Sequence, residues 1–123
     1  MKALINKNIE WEWIDIKNDL HSIQKIVGGY IELVPIPGVS LYCDEEGKLK
    51  ELPPTAYWLN PKDGGIVDIL CGNLIVFGPY DENGNETDAT DKTLELLNKH
   101  LVLLETVQVD EDVIMIIEPR KSC

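Results

Sequence analysis

Only two stretches of this chain carry an apolar stripe at helical spacing. In the first, Leu20, Ile23, Ile26 and Val27 share one helical face. In the second, Leu94, Leu97, Leu101 and Leu104 repeat at three, four and three. The remainder reads as short runs of β-formers cut by turn residues: Tyr30 to Val34, Val39 to Cys43, Val67 to Leu70 and Leu74 to Phe77. Strands outnumber helices and do not alternate regularly with them. That pattern predicts one α+β domain over residues 1–123, with a mainly antiparallel sheet and two principal helices, and argues against a doubly wound parallel sheet.

Local signals place the elements. Lys2 to Asp15 alternates weakly and turns at Lys7-Asn8, which predicts a hairpin with Ile9, Trp11 and Trp13 on one face. Asp15 or Asn18 suits the cap of the first helix, and Gly28-Gly29 stops it. Pro35 and Pro37 end the strand that follows, because proline cannot donate to a ladder. Asp44-Glu45-Glu46-Gly47 is a turn with an acidic tip. Pro54 suits the first turn of a short helix through Ala56, Tyr57 and Trp58. Residues 60–65 form a loop, and Gly72-Asn73 separates two apolar runs that form one bent strand or a tight pair. The second helix starts near Thr90 or Asp91, and a C-terminal hairpin turns at Asp110-Glu111-Asp112, so that residues 89–118 form a helix and a hairpin.

Charge excludes several classes of function. The chain has 123 residues, 22 acidic and 11 basic, for a formal charge of −11. Gripping nucleic acid through its phosphates requires clustered Lys and Arg, so no direct nucleic-acid binding is expected. A polybasic membrane-surface role is disfavoured for the same reason. No apolar run approaches a membrane span, and MKALINKNIEWEW turns charged too soon for a signal peptide. Cys43, Cys71 and Cys123 are odd in number and irregular in spacing, which is no disulfide framework and fits a reducing cytoplasm. No metal site and no cofactor are expected, since no CxxC pair exists and His21 and His100 lie far from any cysteine in sequence.

Other motifs resolve into turns. Asp81, Asn83 and Asn85 occupy the first, third and fifth positions of a calcium loop. Glu86 then stands where glycine is needed, and Lys92 where a bidentate Glu is needed, so a solvated turn at Asn83-Gly84 is the better account. Neither Gly28-Gly29 nor Gly64-Gly65 has the spacing or the Lys-Ser pair of a phosphate loop. No serine sits in a nucleophile elbow and no catalytic constellation is evident, so a non-enzymatic protein is expected. Two features suggest binding. Tyr57-Trp58, beside Asn60 and Lys62, offers a stacking surface, an amide and a cation next to a glycine loop. Three acidic patches, Asp44 to Glu46, Asp81 to Asp91 and Asp110 to Asp112, offer a field able to occupy a basic groove on a partner.

A wider pattern is carried by Leu20-x-x-Ile23-Gln24-x-x-Val27-Gly28-Gly29-Tyr30-Ile31-Glu32 and by Leu41-Tyr42-Cys43-Asp44-Glu45-Glu46-Gly47-Lys48. It continues with Leu52-Pro53-Pro54 and Gly72-Asn73-Leu74-Ile75-Val76-Phe77-Gly78. In order and spacing, residues 20–78 resemble the family called domain of unknown function 3846. Thr55 stands where that family's pattern usually has asparagine after the prolines. The second helix and the final hairpin look like an addition to it. The resemblance implies a phage or mobile-element setting, in which small acidic proteins act as counter-defence factors. The expected function is then capture of a small nucleotide-like ligand by a homo-oligomer. Tyr57, Trp58, Asn60 and Lys62 would form the pocket, with Tyr30 and Arg120 added; the aromatics would stack a base, and Lys62 and Arg120 would meet phosphate. The alternative is an acidic interaction module that mimics DNA towards a basic host protein. The apolar strand through Val113 to Ile117 would suit pairing across subunits in either case.

Overall fold

The computed structural model describes residues 1–108 and 114–117. The chain opens with the expected hairpin, β1 (Lys2–Lys7) and β2 (Glu10–Asp15), in register from Lys2 opposite Asp15 to Lys7 opposite Glu10. Its turn is carried by Asn8 at φ 56°, a left-handed conformation that asparagine tolerates better than most residues. Trp11 is half-buried, whereas Trp13 on the same strand is exposed. Helix α1 (Leu20–Val27) is capped by Asp19, not by Asp15 or Asn18: the Asp19 carboxylate accepts the Ser22 amide at 2.7 Å. It ends at Gly28, φ 92°, whose amide donates to the Gln24 carbonyl. Ile23 and Val27 are buried, but Leu20 lies outside the packed face.

Strands β3 (Ile31–Val34) and β4 (Ser40–Asp44) follow as an antiparallel pair. The segment after the prolines corrects the sequence expectation. Pro54 opens not a helix but a strand, β5 (Pro54–Leu59), in which Ala56 is buried. The strand is set by its pairing with neighbours on both sides, and a missing amide is tolerated at a strand's first residue. The two apolar runs after it are neither one bent strand nor a tight pair. β6 (Ile66–Cys71) pairs with β5, whereas β7 (Ile75–Phe77) crosses to the other sheet and pairs with β1 and β4. Gly72, at φ 79°, makes the corner.

Helix α2 (Asp91–His100) begins at Thr90, whose hydroxyl and that of Thr93 exchange bonds with each other's amides in a capping box. The helix stops at His100, short of the sequence stripe. Leu101 is already extended and opens β8 (Leu101–Leu103), which pairs with β5. β9 (Glu105–Gln108) and β10 (Ile114–Ile117) form the expected terminal hairpin, while its turn at Asp110 to Asp112 lies outside the described residues.

The pairings build a five-stranded sheet in the order β2-β1-β7-β4-β3, a three-stranded sheet in the order β6-β5-β8, and the terminal two-stranded ribbon, all antiparallel. The larger sheet is the middle layer. On one face Ala3, Tyr42, Ile75 and Phe77 pack with Ile23 and Val27 of α1. On the other, Leu4, Val34, Leu41 and Val76 pack with Ala56, Leu70 and Leu103 of the smaller sheet and Leu97 of α2. A strand covered on both faces needs no polar alternation. This is why Leu74-Ile75-Val76-Phe77 is apolar without a break and fully buried. The fold is α+β, with two helices among the described residues, neither of them long and apolar enough to cross a membrane.

Candidate functional site

Where the two sheets diverge, a cavity of about 240 Å³ opens between the ends of β3 and β4 on one side and β5 and β6 on the other. Glu32 and Cys43 are cross-strand partners on the larger sheet, and Trp58 and Asp68 are cross-strand partners on the smaller one. All four line the cavity, together with Cys71 and Lys48. The Lys48 ammonium donates to the Asp68 carboxylate at 2.6 Å. That bond raises the Lys48 pKa and lowers that of Asp68 from their ordinary values. Burial, reinforced by Glu32, Asp44 and Asp68, pushes the Cys43 thiol up to about 11. Burial raises Cys71 as well. Both shifts favour the thiol over the thiolate, which makes these sulfurs poor nucleophiles. Among the described residues no three His, Cys, Asp or Glu side chains converge as a metal site would require.

At one end of the cavity an exposed lysine, Lys50, pairs with a buried carboxylate. Asp44, expected at an exposed acidic tip, is 4% exposed. Its carboxylate accepts from Lys50 Nζ at 2.8 Å and from the Glu46 amide at 2.8 Å. The Lys50 bond, followed by the Glu46 amide, outweighs burial and holds Asp44 below the usual carboxylate range. A Cβ on Gly29 would stand 2.7 Å from Lys50 Nζ and 3.0 Å from Asp44 Oδ2. The two adjacent glycines thus serve different needs, Gly28 a left-handed backbone and Gly29 the close approach of this pair. Because the folded-state pKa of Asp44 is depressed, its contribution to stability is complete above the unfolded value of 3.8 and is lost as pH falls through the lower folded value. Asp44→Asn is expected to flatten the acid limb of stability against pH, read as urea midpoints between about pH 5 and pH 2. Parallel acid limbs for wild type and variant would show that the pair carries no such linkage.

The segments that carry the family resemblance meet around this pair. Val27 and Gly28, Asp44, Leu52 and Pro53, and Gly72 and Asn73 line one cleft of about 280 Å³. Thr55 lies there too, at an irregularity in the β5–β6 register, and its hydroxyl lies 2.8 Å from the Gly72 carbonyl and 3.1 Å from that of Leu70. The Asn73 amide donates to the Ile26 carbonyl at the end of α1. These polar groups are engaged in holding chain segments together. The model of the family described as domain of unknown function (DUF3846) matches residues 1–102. The chain belongs to the DUF3846 family. The DUF3846 match extends beyond residues 20–78 and takes in the first hairpin and α2. No curated protein and no solved structure matches the chain.

Of the described residues expected to form a nucleotide pocket, only Trp58 lines the cavity in this DUF3846 protein. Tyr57 and Trp58 are consecutive in a strand, so they point to opposite faces of the sheet and make no common stacking surface. The Asn60 side chain accepts the Lys62 amide at 2.9 Å and closes its own loop, and Lys62 is exposed. Tyr30 is 72% exposed and borders a separate cleft with Gln24, Glu46 and Lys50. Arg120 lies outside the described residues. Sequence reasoning missed Glu32, Lys48 and Asp68. The one available signal was that Cys43 and Cys71 both end apolar runs, which brings their neighbours to the same end of the two sheets. Of the expected calcium-like loop, Asp81 Oδ1 accepts the Asn83 and Asn85 amides, and Gly84 adopts φ 79°, the geometry of a turn.

Proposed function

We propose that this protein acts by binding, without catalysis, and that it engages a basic protein through its acidic surface. The observation that carries this reading is the charge around the cavity. Its rim holds Glu32, Glu45 and Asp68 against Lys48, and Lys48 is already paired with Asp68. Glu32 and Glu45 are exposed and form no ion pair among the described residues. Elsewhere Lys7, Lys17, Lys50 and Lys92 also lie within ion-pair distance of acids. A phosphate entering such a site meets like charge, whereas a lysine or arginine side chain meets complementary charge. Nucleotide capture is the weaker alternative, because among the described residues Lys62, Tyr57 and Tyr30 do not line the cavity with Trp58. The raised thiol pKa values at the cavity favour binding over nucleophilic chemistry. In the phage or mobile-element setting the resemblance implies, the partner would be a nucleic-acid-binding host protein whose basic groove the acidic face occupies.

The test combines two measurements. Immobilised protein is expected to retain basic proteins from a bacterial lysate at about 50 mM salt and to release them at about 500 mM, where the Debye length is only a few ångströms. The double variant Glu32→Gln, Glu45→Gln should retain markedly less. Native mass spectrometry after incubation with a bacterial nucleotide extract should show no discrete adduct. A stoichiometric nucleotide adduct, with retention indifferent to salt and to the double variant, would reverse the conclusion in favour of the small-ligand alternative.

A further inference from the structure

Strand β3 is the last strand of the five-stranded sheet, and among the described residues nothing pairs with its outer side. Which of its backbone groups are open follows from the register. The Glu45 amide donates to the Tyr30 carbonyl, one step beyond the pairing of Ile31 with Asp44. In an antiparallel pair, bonded and non-bonded positions alternate. Tyr30 and Glu32 therefore face β4 with their backbone groups, and Ile31 and Leu33 present theirs to the open edge. The side chains divide by the same period. Ile31 packs with the cluster on the α1 side of the sheet, and Leu33, two residues on and opposite Tyr42 of that cluster, shares this face and is 44% exposed. Glu32 and Val34 lie towards the cavity, with Val34 in the core beside Cys43 and Leu41.

We propose that β3 receives an extended segment of the basic partner as an added strand, in which lysine or arginine alternates with an apolar residue. Main-chain bonds to Ile31 and Leu33 would hold the segment, and alternate side chains would read the two faces. On the cavity side its basic residues would approach Glu32, Glu45 and Asp68, and on the other side its apolar residues would cover Leu33. Charge complementarity selects this occupant over a second copy of the chain, because two copies of an edge bearing Glu32 would bring like charges together. Pro35 and Pro37, which lack amides, limit the added ladder to the length of β3. The inference rests on the proposed acidic interaction surface and specifies which part of it is used and by what.

The probe is a blocked octapeptide alternating lysine with valine, titrated into the full chain at about 50 mM salt and followed by amide chemical shifts. Saturable binding is expected, with the main shifts at Ile31, Leu33 and the cavity rim. Glu32→Gln combined with Glu45→Gln should weaken it by at least about tenfold. Leu33→Pro should abolish it while leaving circular dichroism unchanged, because the Leu33 amide is not part of the native ladder. A lysine–proline octapeptide carries the same charge but cannot form a strand. If it binds as tightly, the attraction is charge alone and strand addition is wrong, although the acidic interaction surface stands. If neither peptide binds and salt-sensitive lysate retention persists, this edge is not the site. If retention is absent as well, the acidic-module reading itself fails. A dimer in sedimentation that Leu33→Pro dissociates would overturn the proposal in favour of a second copy at this edge.

Discussion

Phe77→Ala is expected to lower the unfolding free energy by about 3–5 kcal/mol, a large share of the roughly 5–15 kcal/mol that holds a domain together. Phe77 is fully buried on the middle strand of the five-stranded sheet. Its ring meets that of Tyr42 edge to face, with centroids 6.3 Å apart and planes at 66°. Such pairs contribute about 0.5–1.5 kcal/mol beyond the area they bury. Tyr42 cannot follow a shrinking neighbour, because its hydroxyl donates to the Glu86 carboxylate and bonds the Tyr80 hydroxyl. A void left at Phe77 would therefore stay open between the sheet and α1. Urea unfolding is the measurement, with Phe77→Leu as a milder companion that loses about 1–1.5 kcal/mol and keeps the chain folded. Trp13→Ala, at a side chain 44% exposed on the outermost strand, should cost far less. A loss below about 1 kcal/mol for Phe77→Ala would mean that α1 does not pack on the sheet as described.

Most of what was legible in the fold rested on local signals. Both hairpins, the Gly28-Gly29 stop and the Thr90 start are written within a few residues, and each appears in the structure. Two errors came from local signals that were true of something else. Pro54 is as well suited to the first residue of a strand as to the first turn of a helix, and Ala56, Tyr57 and Trp58 are compatible with either. Leu101 and Leu104 continue the α2 stripe in phase, yet Leu101 begins β8, since both its helical and its extended positions face the same core. The first error spread to the site. A helix would place Tyr57 and Trp58 on adjoining faces, whereas a strand sends them to opposite ones. The cavity itself was not legible. Glu32, Lys48, Trp58 and Asp68 meet only because β7 leaves the β5–β6 pair and inserts between β1 and β4, a long-range pairing that no short window contains.

Gly78→Ala is expected to lose about 3 kcal/mol or more, at the upper end for overpacking, although the change adds a single methyl group. The new Cβ would run into the Asp88 carbonyl oxygen and stand 2.6 Å from Thr87 Oγ1. Neither obstacle is free to retreat. The Gly78 amide donates to the Thr87 carbonyl at 2.9 Å, and the Gly78 carbonyl accepts the buried Ser40 hydroxyl at 2.8 Å. Asp88 is held in turn, because its carboxylate accepts the Lys2 amide at 2.9 Å and the Ala89 amide donates to the Lys2 carbonyl at 2.9 Å. Relief would require breaking the bonds that fix the 79–88 loop to β1 and β4. Gly84 provides the contrast. It sits at φ 79° with no atom within 4 Å of an added Cβ. Gly84→Ala therefore meets only the left-handed backbone penalty of about 1–2 kcal/mol. Thermal or urea unfolding of the two variants separates lack of space from lack of conformational freedom. Equal losses would show that the packing of this loop on the sheet is loose enough to admit a methyl group, and that only backbone conformation matters at both sites.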